Sequence, residues 1–223
     1  MYRKALQKMI DWKQSSHRKP LVLRGARQVG KTWLMKEFGS QCYEKTFYFS
    51  FDKEEDLKTI FTSNKDPVRI VDLLGTIRND KILPEKHLII FDEVQECSEA
   101  LNSLKYFNEE ANEYHIIAAG SLLGTLLAEP KSYPVGKVNL MDIYPMDFDE
   151  FLNAAEPSLY KYLEETNPEE ILKIQHEKLI EQYRNYLIVG GMPDCVYSWI
   201  TEKNSGLVLQ IQNDLIALYE NDI

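Results

Sequence analysis

The stretch LVLRGARQVGKTWLM, residues 21–35, constrains the fold of this chain more than any other segment. An apolar run stops at Gly25, Gly30 follows with Lys31 and Thr32 directly behind it, and a helix-like apolar spacing then resumes. Residues Gly25 to Thr32 match G-x-x-x-x-G-K-[ST], a pattern that chance places in roughly one chain of this length in a hundred. Its physics is a strand entering a loop whose backbone N–H groups turn inward, followed by a helix whose positive N-terminal end faces the same point. Such a loop holds a polyphosphate. Gly25 and Gly30 permit the backbone conformations, and Gln28, Val29 and Trp33 line the binding segment. Lys31 reaches the β- and γ-phosphates, and the Thr32 hydroxyl ligates Mg²⁺. An ordinary strand-to-helix turn would not require this spacing, and the chain has only ten glycines to place.

A second signal follows about sixty residues later. HLIIFDE, residues 87–93, places four apolar residues ahead of two carboxylates, the pattern of a strand buried on both faces. Asp92, at the end of that strand, is placed to hold the Mg²⁺ shell opposite Thr32. Glu93 is placed to orient and deprotonate a water at the γ-phosphate. A third run, HIIAAGS, residues 115–121, ends in Ser121, either a polar contact at a strand tip or the N-cap of the SLLGTLLA helix.

Between these motifs, strand and helix patterns alternate. Helices are expected over residues 2–14, 33–38 with Gly39 as C-cap, 54–62, 67–78 opened by Pro67, and 98–113 capped by Ser98; KTFYFSFD, 45–52, reads as a strand. Such alternation predicts a parallel sheet with helices on both faces and a ligand at the carboxyl ends of its strands. From about residue 142 the pattern becomes helical, with a long run starting at Pro168 and closing at Gly190-Gly191. The expected organisation is a core over 1–141 and a helical lid over 142–223, and an apolar helical pattern running into Ile223 without cap chemistry predicts continuation.

Composition narrows the function classes. The chain is 44% hydrophobic and 27% charged, with no apolar window of membrane-spanning length and no signal-peptide pattern, so a soluble cytoplasmic protein is expected. Cys42, Cys97 and Cys195 lie far apart and predict no metal cluster. The net charge of −9 argues against a surface given over to nucleic acid, although residues 1–48 carry eleven Lys/Arg against three acids. That basic segment leaves nucleic acid open as a partner.

The motifs GARQVGKT, LIIFDEVQ and AAGSLLG, followed by PVGKV, YPMDFDEF and LIVGGMPD, together resemble the AAA+/STAND-related bacterial and archaeal ATPases whose C-terminal half is a nuclease-like domain. The resemblance runs from about Arg18 to Asp222. It implies an α/β P-loop NTPase core of the additional-strand type, with a three-layer arrangement around a five-stranded parallel sheet and a helical lid behind it. It also implies ATP and Mg²⁺ as ligands, the loop as Walker A, Asp92 and Glu93 as Walker B, and Ser121 as the sensor. Pro193, in GGMP, falls where such lids approach the adenine. Two positions depart from the family pattern: Ser121 stands where Asn or Thr is usual, and Lys137 where the pattern has Arg, whose bidentate phosphate contact a lysine cannot make.

Competing readings differ at single residues. A GTPase needs N-K-x-D, and in SNKDP, 63–67, the aspartate arrives one position early. A small-molecule kinase shares the loop but not the Glu93 water base, and beyond Arg78 the sequence holds only Arg184 for an arginine-rich lid. The lack of a clear arginine in cis points to a homo-oligomer that supplies one in trans. A nucleotide-gated interaction module with little turnover would use the same motifs.

Overall fold

The computed structural model describes residues 1–63, 65–120 and 136–220. Its elements are α1 (Lys4–Gln14), β1 (Leu21–Arg24), α2 (Lys31–Cys42), β2 (Lys45–Ser50), α3 (Leu57–Ser63), α4 (Pro67–Ile77), β3 (His87–Asp92), α5 (Ser98–Glu110), β4 (His115–Ala119) and β5 (Asn139–Asp142). Five further helices follow: α6 (Phe148–Ala155), α7 (Pro157–Glu165), α8 (Lys173–Val189), α9 (Pro193–Glu202) and α10 (Ser205–Glu220). Contacts divide the chain into two compact units, Ala5–Tyr144 and a second formed by Pro145 onward together with Met1–Lys4.

In the first unit the five strands form one sheet in the order β2-β3-β4-β1-β5, every pairing parallel. β4 is inserted between β1, which feeds the phosphate-loop motif, and β3, which ends in the acidic pair. The strands β3 and β4 are buried along their whole length, with polar residues only at His87, Asp92 and His115, because helices cover both faces. On one face Phe47, Phe49, Ile89, Phe91 and Ile116 pack with residues of α3, α4 and α5. Phe51, Phe61 and Phe91 meet there with ring centroids 5.5–5.7 Å apart. α2 packs on β2, β3 and β4.

Several expected boundaries move for identifiable reasons. α2 runs four residues beyond the expected end, through Gly39 to a cap at Tyr43. Gly39 is needed for packing instead of capping, since a Cβ there would lie 2.2 Å from Thr46 Oγ1 of β2. The cap of α5 is Cys97, with Ser98 already helical. The run from Pro168 is one short 3₁₀ turn, Pro168–Glu170, separated from α8 by extended Ile171 and Leu172. β5 has no counterpart among the expected strands, because NLMD is short and alternates half-buried with exposed residues.

The second unit packs Met146, Phe151, Val189, Cys195, Val196, Val208 and Leu215 into its own core. Asp147 and Glu150 close a capping box at the start of α6. Glu150, itself buried, also accepts the Lys4 backbone N–H at 2.6 Å and pairs with buried Arg3 at 3.3 Å. Gly191 is required by backbone proximity: a Cβ would lie 2.0 Å from the Met146 carbonyl, and the Met146 N–H donates to Gly191 O at 2.6 Å.

Candidate functional site

The segment between β1 and α2 has the backbone that its glycines predict. Gly25 (φ 151°), Gln28 (φ 62°) and Gly30 (φ 90°) all lie at positive φ. Only glycine fits at position 25, where a Cβ would stand 2.2 Å from the carbonyl oxygen of Ile143. That approach is fixed by Ile143 N–H donating to Arg24 O at 2.7 Å. Gln28 is not a glycine, so its left-handed conformation stores strain of the kind that collects at binding sites. Val29 is fully buried and anchors the loop, so any contact it makes with a ligand is through its backbone.

Gly30 opens α2 with no side-chain cap for the N–H groups of the first helical turn. Lys31, only 7% exposed, curls back and donates Nζ to the carbonyls of Gly25 (2.8 Å) and Ala26 (2.7 Å). Burial pushes its pKa below the usual lysine range, against the opposing pull of the Glu93 and Asp92 carboxylates. An ammonium held between two neutral carbonyls and partly desolvated is a receptor for an anion.

The acidic pair sits at the end of β3. Asp92, 3% exposed, accepts three hydrogen bonds: Thr32 Oγ1 (2.7 Å) and Tyr48 OH (2.8 Å) on Oδ2, and the Glu93 N–H (3.1 Å) on Oδ1. These donors offset the cost of a buried carboxylate. The Thr32 contact joins the phosphate loop to the acidic pair across sixty residues of sequence. A hydroxyl and a carboxylate meeting beside a buried lysine form a hard-oxygen donor set that fits Mg²⁺ with much of its water shell. Glu93 follows in the left-handed region (φ 50°, ψ 45°), and its carboxylate accepts Gln95 Nε2 at 2.6 Å.

The remaining expected residues divide. Trp33 is 41% exposed in the first turn of α2. Ser121 lies outside the described residues. Pro193 belongs to the second unit, at the first position of α9, behind the turn that Gly191 and Met146 hold. Lys137 pairs with Glu109 at 2.8 Å. Sequence reading missed Tyr48 and Gln95. Tyr48 was legible only as an aromatic strand residue, and its phenol reaches Asp92 because β2 lies beside β3 with Ser50 opposite Asp92. Gln95 stands two residues past Glu93, at the end of LIIFDEVQ, where its residue type offered no reason to assign it a role.

Fold and site define a class, the P-loop ATPases of the AAA type. The family model for the AAA domain matches residues 17–152, and the chain belongs to that family. Among solved structures, the Walker-type ATPase of Pyrococcus abyssi aligns over 99% of this chain and 75% of its own at a TM-score of 0.62 and 16% identity. PCH-2 of C. elegans aligns over 99% and 68% at a TM-score of 0.50 and 12% identity. At these identities the likeness is one of fold. A search of curated proteins gives no match. Among the described residues, no helix is long and apolar enough to cross a membrane, and no His/Cys/Asp/Glu cluster forms a metal site of three or more ligands.

Proposed function

We propose that this chain binds ATP with Mg²⁺ and hydrolyses it slowly, coupling nucleotide state to the position of its helical unit. The observation that carries the reading is the 2.7 Å contact of Thr32 with Asp92, with Lys31 and Glu93 on either side of it. In this reading the backbone N–H groups of Gly30, Lys31, Thr32 and Trp33, with Gly25, Gln28 and Val29 shaping the loop, cradle the phosphates. Lys31 leaves its carbonyl partners for the β- and γ-oxygens. Thr32 and Asp92 would hold Mg²⁺, which when bound neutralises charge on the phosphates. Glu93 orients the attacking water and accepts its proton.

The basic N-terminal segment supports nucleotide more than nucleic acid as ligand, because its cations are largely engaged within the chain. Arg24 pairs bidentately with Asp142 at 2.8 Å, Lys19 donates to Gly136 O at 2.6 Å, and Lys4 binds Asp147 and Asp149. We further infer a cytoplasmic setting and a homo-oligomer that supplies an arginine in trans, since Arg78 is tied to Glu54 and the Tyr48 carbonyl. One observation favours a second reading, a nucleotide-gated module with little turnover: the Glu93 carboxylate is already held by Gln95.

The test is phosphate release from Mg-ATP without an acceptor, over a range of protein concentrations, with Glu93→Gln beside the wild type. Release that requires Glu93 supports hydrolysis, and specific activity rising with concentration supports assembly in trans. Binding of ATP without release supports the gated module. Release only on adding an acceptor would replace both with a kinase.

A further inference from the structure

Tyr48 lies on β2, outside every motif of the nucleotide site, yet its phenol reaches into that site. Its OH donates at 2.8 Å to Asp92 Oδ2, the oxygen that also accepts the Thr32 hydroxyl at 2.7 Å. The tyrosine is held on other sides as well. Lys36 Nζ lies 4.1 Å from its ring centroid, and its backbone carbonyl accepts Arg78 Nη2 at 2.8 Å. The β2–β3 pairing sets Tyr48 opposite Ile90 and Ser50 opposite Asp92.

A terminal carboxylate torsion is broad and nearly two-fold, so Asp92 alone would not present one chosen oxygen to Thr32. With the Glu93 N–H on Oδ1 and Tyr48 on Oδ2, the plane of the carboxylate is fixed from both ends. We infer that Tyr48 is a positioning residue for the cation pair: its phenol presets Asp92 so that Asp92 and Thr32 meet a divalent cation without reorganising. This rests on the proposed reading of Thr32 and Asp92 as the Mg²⁺ pair. Tyr48 does not touch the nucleotide in this assignment. Partners of this kind, behind a metal ligand, alter metal affinity by about 10- to 100-fold when removed.

The test is a titration of fluorescent mant-ADP, first in EDTA and then at increasing Mg²⁺, on the wild type and Tyr48→Phe. Phenylalanine keeps the ring that Lys36 covers and removes only the donor. The expected result is Mg²⁺-free affinity within about twofold of the wild type, with the half-saturating Mg²⁺ concentration raised about tenfold or more. Tyr48→Leu, which likewise carries no donor, is the second variant, for which the same split is expected should Tyr48→Phe fold poorly. An unchanged Mg²⁺ requirement in a folded variant overturns the assignment. An equal loss of Mg²⁺-free and Mg²⁺-dependent binding also overturns it, because that is what a merely structural tyrosine would give. A wild type that binds mant-ADP without any Mg²⁺ effect, or not at all, removes the underlying reading of the site and this inference with it.

Discussion

Gln95 Nε2 donates to Glu93 Oε2 at 2.6 Å, so the carboxylate proposed as the water base is oriented by a side chain only two residues away. The pair stands where the backbone is itself strained, with Glu93 at φ 50°. Glu93→Gln preserves shape and removes the base. It is expected to bind Mg-ATP with unchanged affinity while turnover falls by about two to three orders of magnitude. Measured turnover within tenfold of the wild type would reassign the base.

The same backbone predicts a stability difference that is independent of activity. Glu93→Gly and Glu93→Ala both lack the carboxylate, but only glycine adopts φ 50° without cost. The Gly variant should be more stable than the Ala variant by about 1 kcal/mol, a difference read from urea unfolding midpoints. The opposite order would mean that the loop relaxes out of the left-handed region.

Lys31 links two measurable properties. Its ammonium is buried against the Gly25 and Ala26 carbonyls, and burial disfavours its charged form. Lys31→Met should lower ATP affinity at least tenfold, about 1.4 kcal/mol or more, without lowering the melting temperature of the ligand-free protein. A variant that binds ATP normally would show that the lysine is not a phosphate ligand.

His115, at the start of β4, gives a pH dependence with a definite sign. It is buried, its Nδ1 lies 2.7 Å from Tyr43 OH, and burial with the nearby charges of Arg18 and Lys13 lowers its pKa from 6.5 to about 4. The neutral ring is favoured in the folded state, so this contribution is fully present above pH 6.5 and is lost as the pH falls toward 4. Between pH 7 and pH 5 the loss is about 2 kcal/mol. Urea unfolding at the two pH values should show it, and His115→Gln should remove that component of the slope.

In the second unit, Glu150 combines a helix cap with a buried ion pair to Arg3. Removing one member of such a pair leaves the other charge desolvated and typically costs about 3–5 kcal/mol. Glu150→Ala should therefore raise hydrogen exchange across α6 well before it affects β1–β4. Uniform exchange changes across both units would refute a local role.

What the sequence disclosed follows from which interactions are local. The phosphate loop was readable because Gly25, Gly30, Lys31 and Thr32 act within eight residues, and each residue type is dictated by backbone or charge. β3 and β4 were readable because strands buried on both faces carry an unbroken apolar run between their ends. β5 was not, since its pairing with β1 depends on main-chain hydrogen bonds that leave little trace in NLMD. Gly39 was taken as a stop because its meaning lies in Thr46, on the neighbouring strand. Tyr48 was invisible as a site residue for the same reason: its partner is 44 positions away and on another strand.

The insertion of β4 between β1 and β3 sets a gauge. Neighbouring strands stand about 4.8 Å apart, so the end of β1 and the end of β3 are held roughly 10 Å from each other. The Thr32 to Asp92 contact bridges that span because Thr32 stands in the first turn of α2, which packs on β2, β3 and β4. Ala118 belongs to the core under α3, α4 and α5, while Ala119, the last residue of β4, turns to the opposite face. A larger side chain at Ala119 would work like a shim, pressing on that opposite face while every residue of both motifs stayed in place.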